Sequence, residues 1–204
     1  MSIVERYRKV RVPALSGLEQ VWARLEAATR AAAGAGGKKR KGPAGPSTAV
    51  AGSPKKETLA LFEEACKQYD VPLDLALALG CWESTGFEED AQSSKGAYGI
   101  MQVLPSTAAG LGENPNTVKG NIFAGVRYLG QQLKKYNNDV DLALAAYNWG
   151  PTALDRHLEA GKDLSTAPLE TRKHGAGVKN LQKQFAVLLA PKPKQSAVGK
   201  DDKR

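Results

Sequence analysis

Chemistry in this 204-residue chain gathers around Glu83. Glu83-Ser84-Thr85-Gly86-Phe87 leads through Ala91, Ser93 and Gly96-Ala97 to Gly99-Ile100-Met101-Gln102 and Pro105-Ser106-Thr107-Ala108. A second block, Ala145-Ala146-Tyr147-Asn148-Trp149-Gly150, stands about forty residues further on. One acid, a polar glycine-bearing turn, an apolar Met-Gln step and a distant Tyr-Asn pair together describe a carbohydrate cleft. The chemistry they point to is scission of a glycosidic bond with a single carboxylate. Glu88, Glu89 and Asp90 lie close by in sequence but read as a solvated acidic loop, not as a partner acid. A one-carboxylate site fits substrate-assisted cleavage, an exception to the usual two-carboxylate rule.

Helices must position these residues. From Glu57, Leu59, Leu61, Phe62 and Ala65-Cys66 predict a first core helix ending near Tyr69-Asp70, broken by Val71-Pro72. Leu73 to Glu83 follows, with Asp74 near its start and Leu75, Leu77, Leu79 and Trp82 supplying apolar surface. Glu83 then sits at a helix C-terminus, where the negative end of the dipole disfavours an ionised carboxylate. Residues 84–99 read as a loop or irregular hairpin, and Ser84 as a support for the turn. Further helices are expected over 105–111, 121–136, 141–147, 152–158 and 178–189. In the fourth of the seven, Ile122, Val126, Leu129 and Leu133 recur at helical spacing. No strand-period run and no internal repeat is present.

Composition divides the chain. Residues 1–56 hold 12 basic and 3 acidic side chains, residues 57–190 hold 12 and 16, and residues 191–204 hold 5 and 2. The net charge of +8 therefore belongs to the ends. Four segments are expected: a basic N-terminal segment, 1–33, a flexible basic linker, 34–56, a folded domain, 57–190, and a basic disordered tail, 191–204. Within the first, Ser16 and Glu19 form a capping box, with Leu18, Val21, Trp22, Leu25 and Ala28 on one stripe. The linker is dominated by Gly, Ala, Pro, Ser and Lys and cannot bury enough apolar surface to order itself. Basic ends attract polyanions, so nucleic acid, anionic membrane or teichoic-acid-like polymers are candidate partners, against a plain reading as solubilising tails. Cys66 and Cys81 read as buried free thiols, with a single bridge between adjacent helices as the alternative.

From Glu57 to Leu189 the chain resembles the catalytic domain of the soluble lytic transglycosylase family. The family pattern is Glu-Ser, then Ala-x-Ser-x-x-Gly-Ala-x-Gly-Leu-Met-Gln, then Pro-x-Thr-Ala, and later Ala-Tyr-Asn-x-Gly. Glu83-Ser84, the run Ala91 to Gln102, Pro105 to Ala108, and Ala146 to Gly150 match it in order, with Ile100 for leucine. Asn121, Gly125, Tyr128 and Leu129 match a further Asn-x-x-x-Gly-x-x-Tyr-Leu block. Two departures stand out. The loop from Glu83 to Ala91 is one residue longer than is common. The family's Glu-Thr-Arg-x-Tyr becomes Glu170-Thr171-Arg172-Lys173-His174, followed by a loosening Gly175 and Gly177. His174 is open to two readings, a substitute hydrogen-bonding group or a loop residue without a role.

The resemblance implies a mainly α, lysozyme-like fold with an irregular loop or small hairpin after the catalytic glutamate. It implies cleavage of the MurNAc–GlcNAc β-1,4 bond of peptidoglycan, without metal or cofactor. Glu83 would be the acid that protonates the glycosidic oxygen, then the base on the sugar's 6-hydroxyl, giving a 1,6-anhydro product. Ser93, Met101, Gln102, Tyr147 and Asn148 would contact substrate, Met101 through its backbone or else as core only. A hydrolytic muramidase on the same fold and a non-catalytic glycan-binding or structural component with nucleic-acid-binding arms are the rivals. No secretory signal is legible in residues 1–15. The expectation is therefore a bacteriophage virion component carried to the cell wall, or a protein exported by a secretion apparatus.

Overall fold

The computed structural model describes residues 54–190. The helix expected from Ser16, the linker up to residue 53 and the 191–204 tail lie outside the described residues. Seven α-helices follow in order: α1 (Lys56–Tyr69), α2 (Leu73–Glu83), α3 (Pro105–Gly110), α4 (Val118–Lys135), α5 (Val140–Trp149), α6 (Pro151–Glu159) and α7 (Leu169–Leu189). A short 3₁₀ turn, Leu164–Thr166, precedes α7. Among the described residues extended structure is limited to isolated antiparallel bridges, Tyr98 with Gln92 and with Val103. The fold is mainly α, with the irregular loop after Glu83 that the sequence predicts.

Local chemistry sets most boundaries. Asp70 ends α1 in the left-handed conformation at φ 58°, its amide bonded to the Cys66 carbonyl. Pro72 then starts α2 in a position where no helical amide is needed. Thr117 caps α4 by accepting from the Gly120 amide, so this helix begins three residues before the expected Asn121. Asp139 caps α5 in the same way through Leu142. α7 departs most from expectation, since it begins at Leu169 and runs unbroken through Gly175 and Gly177. A helical glycine costs about 1 kcal/mol relative to alanine. Packing of α7 along α2 outweighs that cost, because Thr171, His174, Val178, Leu181 and Phe185 all point inward.

Five helices close a ring. α2 packs on α7 and α1, α1 on α4, α4 on α5, and α5 back on α7, while α3 and α6 attach to α4 and α5. α2 is apolar on every side, and Leu75 through Leu79 are fully buried. A helix without a polar face belongs in the interior. Each such leucine stabilises by roughly 1.5–3 kcal/mol. The loop from Ser84 to Leu104 joins α2 to α3. Phe87 pins it, with edge-to-face contacts to Phe62 of α1 at 6.0 Å and Phe185 of α7 at 6.2 Å. That anchor holds Thr85 and Phe87 at φ 53° and 70°, a conformation that costs L-residues about 1 kcal/mol or more each.

Candidate active site

Glu83 is the last residue of α2, and its side chain is 17% exposed. Ser84 holds the turn beyond it, donating its buried hydroxyl to the Gly80 carbonyl at 2.8 Å. The Glu83 carboxyl makes one hydrogen bond among the described residues, Oε1 to His174 Nε2 at 2.9 Å. His174 is 3% exposed and comes from the second turn of α7, not from a loop. Its ring stands edge-on to Trp82 at 6.3 Å and 90°. Trp82 in turn lies flat against Gly177, where a methyl group would fall 2.6 Å from Cε3 and closer still to Cζ3 and Cη2. The glycine that loosens the helix in sequence is thus the seat of the tryptophan beside the acid.

Tyr147, in the last turn of α5, donates its hydroxyl to the Met101 carbonyl at 2.8 Å. Burial, then the nearby Glu83 and Tyr128, holds its phenol well above the usual tyrosine range. Tyr147 therefore acts as a neutral donor at all working pH values. Tyr128 of α4 stacks on it in a tilted pair at 5.2 Å. Asn148 presents Oδ1 to the Thr171 hydroxyl of α7 at 3.0 Å, which leaves its amide nitrogen uncommitted.

The Met101-Gln102 step is fixed from below. Asn121, buried in α4, accepts from the Met101 amide at 2.8 Å and donates to the Tyr98 carbonyl at 2.7 Å. The Met101 side chain is fully buried, packed where Gly125 has no side chain; a methyl there would meet Cγ at 2.6 Å. The Met101 side chain therefore belongs to the core, the second of the two readings the sequence leaves open for it. Gln102, at φ 46°, donates to the Ala91 and Gly99 carbonyls at 3.0 and 2.9 Å, so it braces the loop. Ser93 closes its own turn by accepting from the Ala97 amide at 3.0 Å and makes no bond to Glu83. Glu89 turns away to Lys55 and Thr58 at the start of α1, at 3.0 and 3.3 Å. Among the described residues no three His, Cys, Asp or Glu side chains converge as a metal site. A groove of about 320 Å³ between α5 and α7, lined by Thr171, Arg172, Lys179 and Lys183 among others, does not include Glu83.

Residues 60–169, more than half the chain, match the transglycosylase SLT domain family. The chain belongs to that family. This SLT domain is 34% identical over 114 residues to membrane-bound lytic murein transglycosylase F 2 of Alkalilimnicola ehrlichii, covering 52% of this chain and 25% of that protein. It is 37% identical over 87 residues to the transglycosylase of Enterobacteria phage PRD1, covering 42% and 32%. Its fold matches the lytic transglycosylase Slt of Pseudomonas aeruginosa, solved as an inactive mutant with glutamine in place of a glutamate. The TM-score is 0.57 and the identity 28%, over 66% of this chain and 25% of that one. The chain thus spans about a quarter to a third of the length of the relatives it matches.

Of the two readings open to His174 in the sequence, the structure shows the hydrogen-bonding one, to Glu83. The signal that favours that reading is the apolar stripe Val178, Leu181, Phe185 and Leu189, which, carried back four residues from Val178 through the glycines, puts His174 on the inward face.

Proposed function

We propose that this SLT domain is a peptidoglycan lytic transglycosylase, with Glu83 as its single acid and base. The observation that carries the reading is Glu83 itself: a half-buried carboxyl at a helix C-terminus, held through one oxygen by His174, with Tyr147 nearby. Oε2 is then free to donate a proton to the glycosidic oxygen between N-acetylmuramic acid and N-acetylglucosamine. As the bond breaks, the N-acetyl group of the muramic sugar stabilises the developing oxocarbenium. The Glu83 carboxylate then takes the proton of the 6-hydroxyl, whose oxygen attacks C1. The products are a 1,6-anhydro sugar and a new free hydroxyl, with Glu83 protonated again and no water consumed.

Other side chains have matching free groups. The Asn148 amide nitrogen, the Gln102 carbonyl oxygen and the Ser93 hydroxyl proton are left by their structural bonds to meet glycan hydroxyl and acetamido groups. Names of the relatives support murein as substrate, and the glutamine mutant described as inactive supports one essential glutamate. The PRD1 match supports use by a phage in opening the cell wall, with the basic ends as attachment to virion, nucleic acid or membrane.

The test is mass spectrometry of muropeptides released from purified sacculi by the wild type and by Glu83→Gln. Products about 18 Da lighter than reducing-end muropeptides, absent with the variant, are expected, one water being withheld. Reducing-end products would make the protein a muramidase. No release under conditions where a control enzyme works would leave a glycan-binding or structural role.

A further inference from the structure

We infer that His174 is a positioning residue that works in one tautomer, with Nε2–H donating to Glu83 Oε1 and Nδ1 unprotonated. The inference rests on Glu83 being the acid of the proposed reaction. Its starting point is an asymmetry in the imidazole. Nε2 lies 2.9 Å from Glu83 Oε1, whereas Nδ1 is buried and has no hydrogen-bond partner among the described residues. A buried N–H without a partner costs about 1–3 kcal/mol, and a bare acceptor lone pair is better tolerated. A proton on Nδ1 would create that orphan donor. It would also make Nε2 an acceptor, so Glu83 would have to spend its own proton on the histidine. An imidazolium would carry the same orphan and a buried charge besides. The neutral Nε2–H form avoids all three.

That form divides the labour of the carboxyl. Oε1 accepts from His174 in both protonation states of Glu83, as the carbonyl oxygen of the acid and as half of the carboxylate. Oε2 is the oxygen that gives and recovers the proton. A hydrogen bond to the charged form is roughly twice as strong as one to the neutral form. The His174 donor therefore strengthens as the proton leaves for the glycosidic oxygen, which is the condition for lowering a barrier and not merely for binding. Trp82 and Gly177 keep the ring from rotating, since the indole is wedged between His174 and the α7 backbone. His174 thus stands where the family pattern Glu-Thr-Arg-x-Tyr has its tyrosine.

The experiment compares His174→Gln, which keeps an amide N–H at similar reach, with His174→Leu, which keeps volume but no donor. Turnover of soluble glycan strands by the full chain is expected to fall about 100-fold in kcat for the leucine variant, the usual loss for one such donor. KM should stay within about twofold and the glutamine variant should recover most of kcat, because only charge development is affected. Equal loss in both variants would reduce His174 to packing, and no loss in the leucine variant would remove its role altogether. Nitrogen-15 spectra of the wild type at neutral pH, assigned with His157→Gln, read the tautomer directly. An Nε2–H signal that shifts in Glu83→Gln is expected, and an Nδ1–H or doubly protonated ring overturns the inference. A wild type that cleaves nothing would refute the transglycosylase reading itself, and the tautomer would then decide this one.

Discussion

Gly177→Ala tests the packing that holds the acid in place, and Gly175→Ala supplies its control. Both glycines lie in the middle of α7, so each alanine gains about the same helix propensity, close to 1 kcal/mol. At Gly175 nothing lies within 4 Å of the new methyl, and the gain should appear in full. At Gly177 the methyl falls 2.6 Å from Trp82 Cε3, with two further ring atoms nearer. Carbon atoms settle at about 3.5–4.0 Å, so the indole or the helix must retreat by roughly 1 Å or more. Forcing such a shift in a packed interior costs about 1–3 kcal/mol. Between the two variants propensity cancels, leaving Gly177→Ala less stable than Gly175→Ala by about 1–3 kcal/mol. Urea unfolding at a common slope measures that difference as a displacement of the midpoint. Because Trp82 supports His174, Gly177→Ala should also lower kcat, whereas Gly175→Ala should not. Equal midpoints for the two variants would refute the account of Trp82 seated on Gly177.

Three further outcomes are expected. Tyr147→Phe removes the hydroxyl that satisfies the buried Met101 carbonyl, and should cost about 1–3 kcal/mol in urea unfolding. Burial raises the Asp74 carboxyl, partly opposed by the Gln182 hydrogen bond, so the folded state holds its proton to higher pH than the unfolded chain. The sign follows: this group's contribution is most favourable below the ordinary aspartate value near 3.9 and is lost as pH rises through its folded value. Asp74→Asn should therefore flatten the fall in stability over that window, read from urea midpoints as a function of pH. Burial pushes the Cys81 thiol up to about 12 and Cys66 further, the latter helped by Asp74 and Glu63. A disulfide-exchange reagent at pH 8 should label neither thiol in the native protein and both in denaturant, counted by absorbance.

Some of this architecture is legible in the chain and some is not, for identifiable reasons. α1 and α2 have their expected limits to within a residue because Asp70 and Pro72 act locally, in bonds that span a few positions. Glu83 is legible as a helix-terminal acid for the same reason. α4 begins earlier than its apolar stripe because the Thr117 cap lies outside the periodic run. Two readings left open by the sequence turn on contacts between distant segments. Met101 reads either as a backbone contact beside Gln102 or as core, and Gly125, 24 residues on, opens the space that takes its side chain. His174 meets Glu83 across 91 residues, and two glycines beside it mask the helix that brings it there.

Both contacts share a cause that bears on how the site works. Small residues on one helix, Gly125 on α4 and Gly177 on α7, make room for a large residue, Met101 or Trp82, from the segment that carries Glu83 and Gln102. Single-sequence propensity scores such glycines as breaks, because their benefit appears only when the partner arrives. The Glu83 carboxyl is thereby held from outside its own helix by His174 of α7, while Tyr147 of α5 and Asn121 of α4 fix the Met101 backbone. α2 itself provides only the buried stem on which Glu83 ends. A substitution that loosens α7 from α2 should consequently depress turnover before it unfolds the domain, since the Glu83–His174 bond bridges the two helices directly. Loosening α3 or α6, which hang on the outside of the ring, should lower stability with much less effect on turnover.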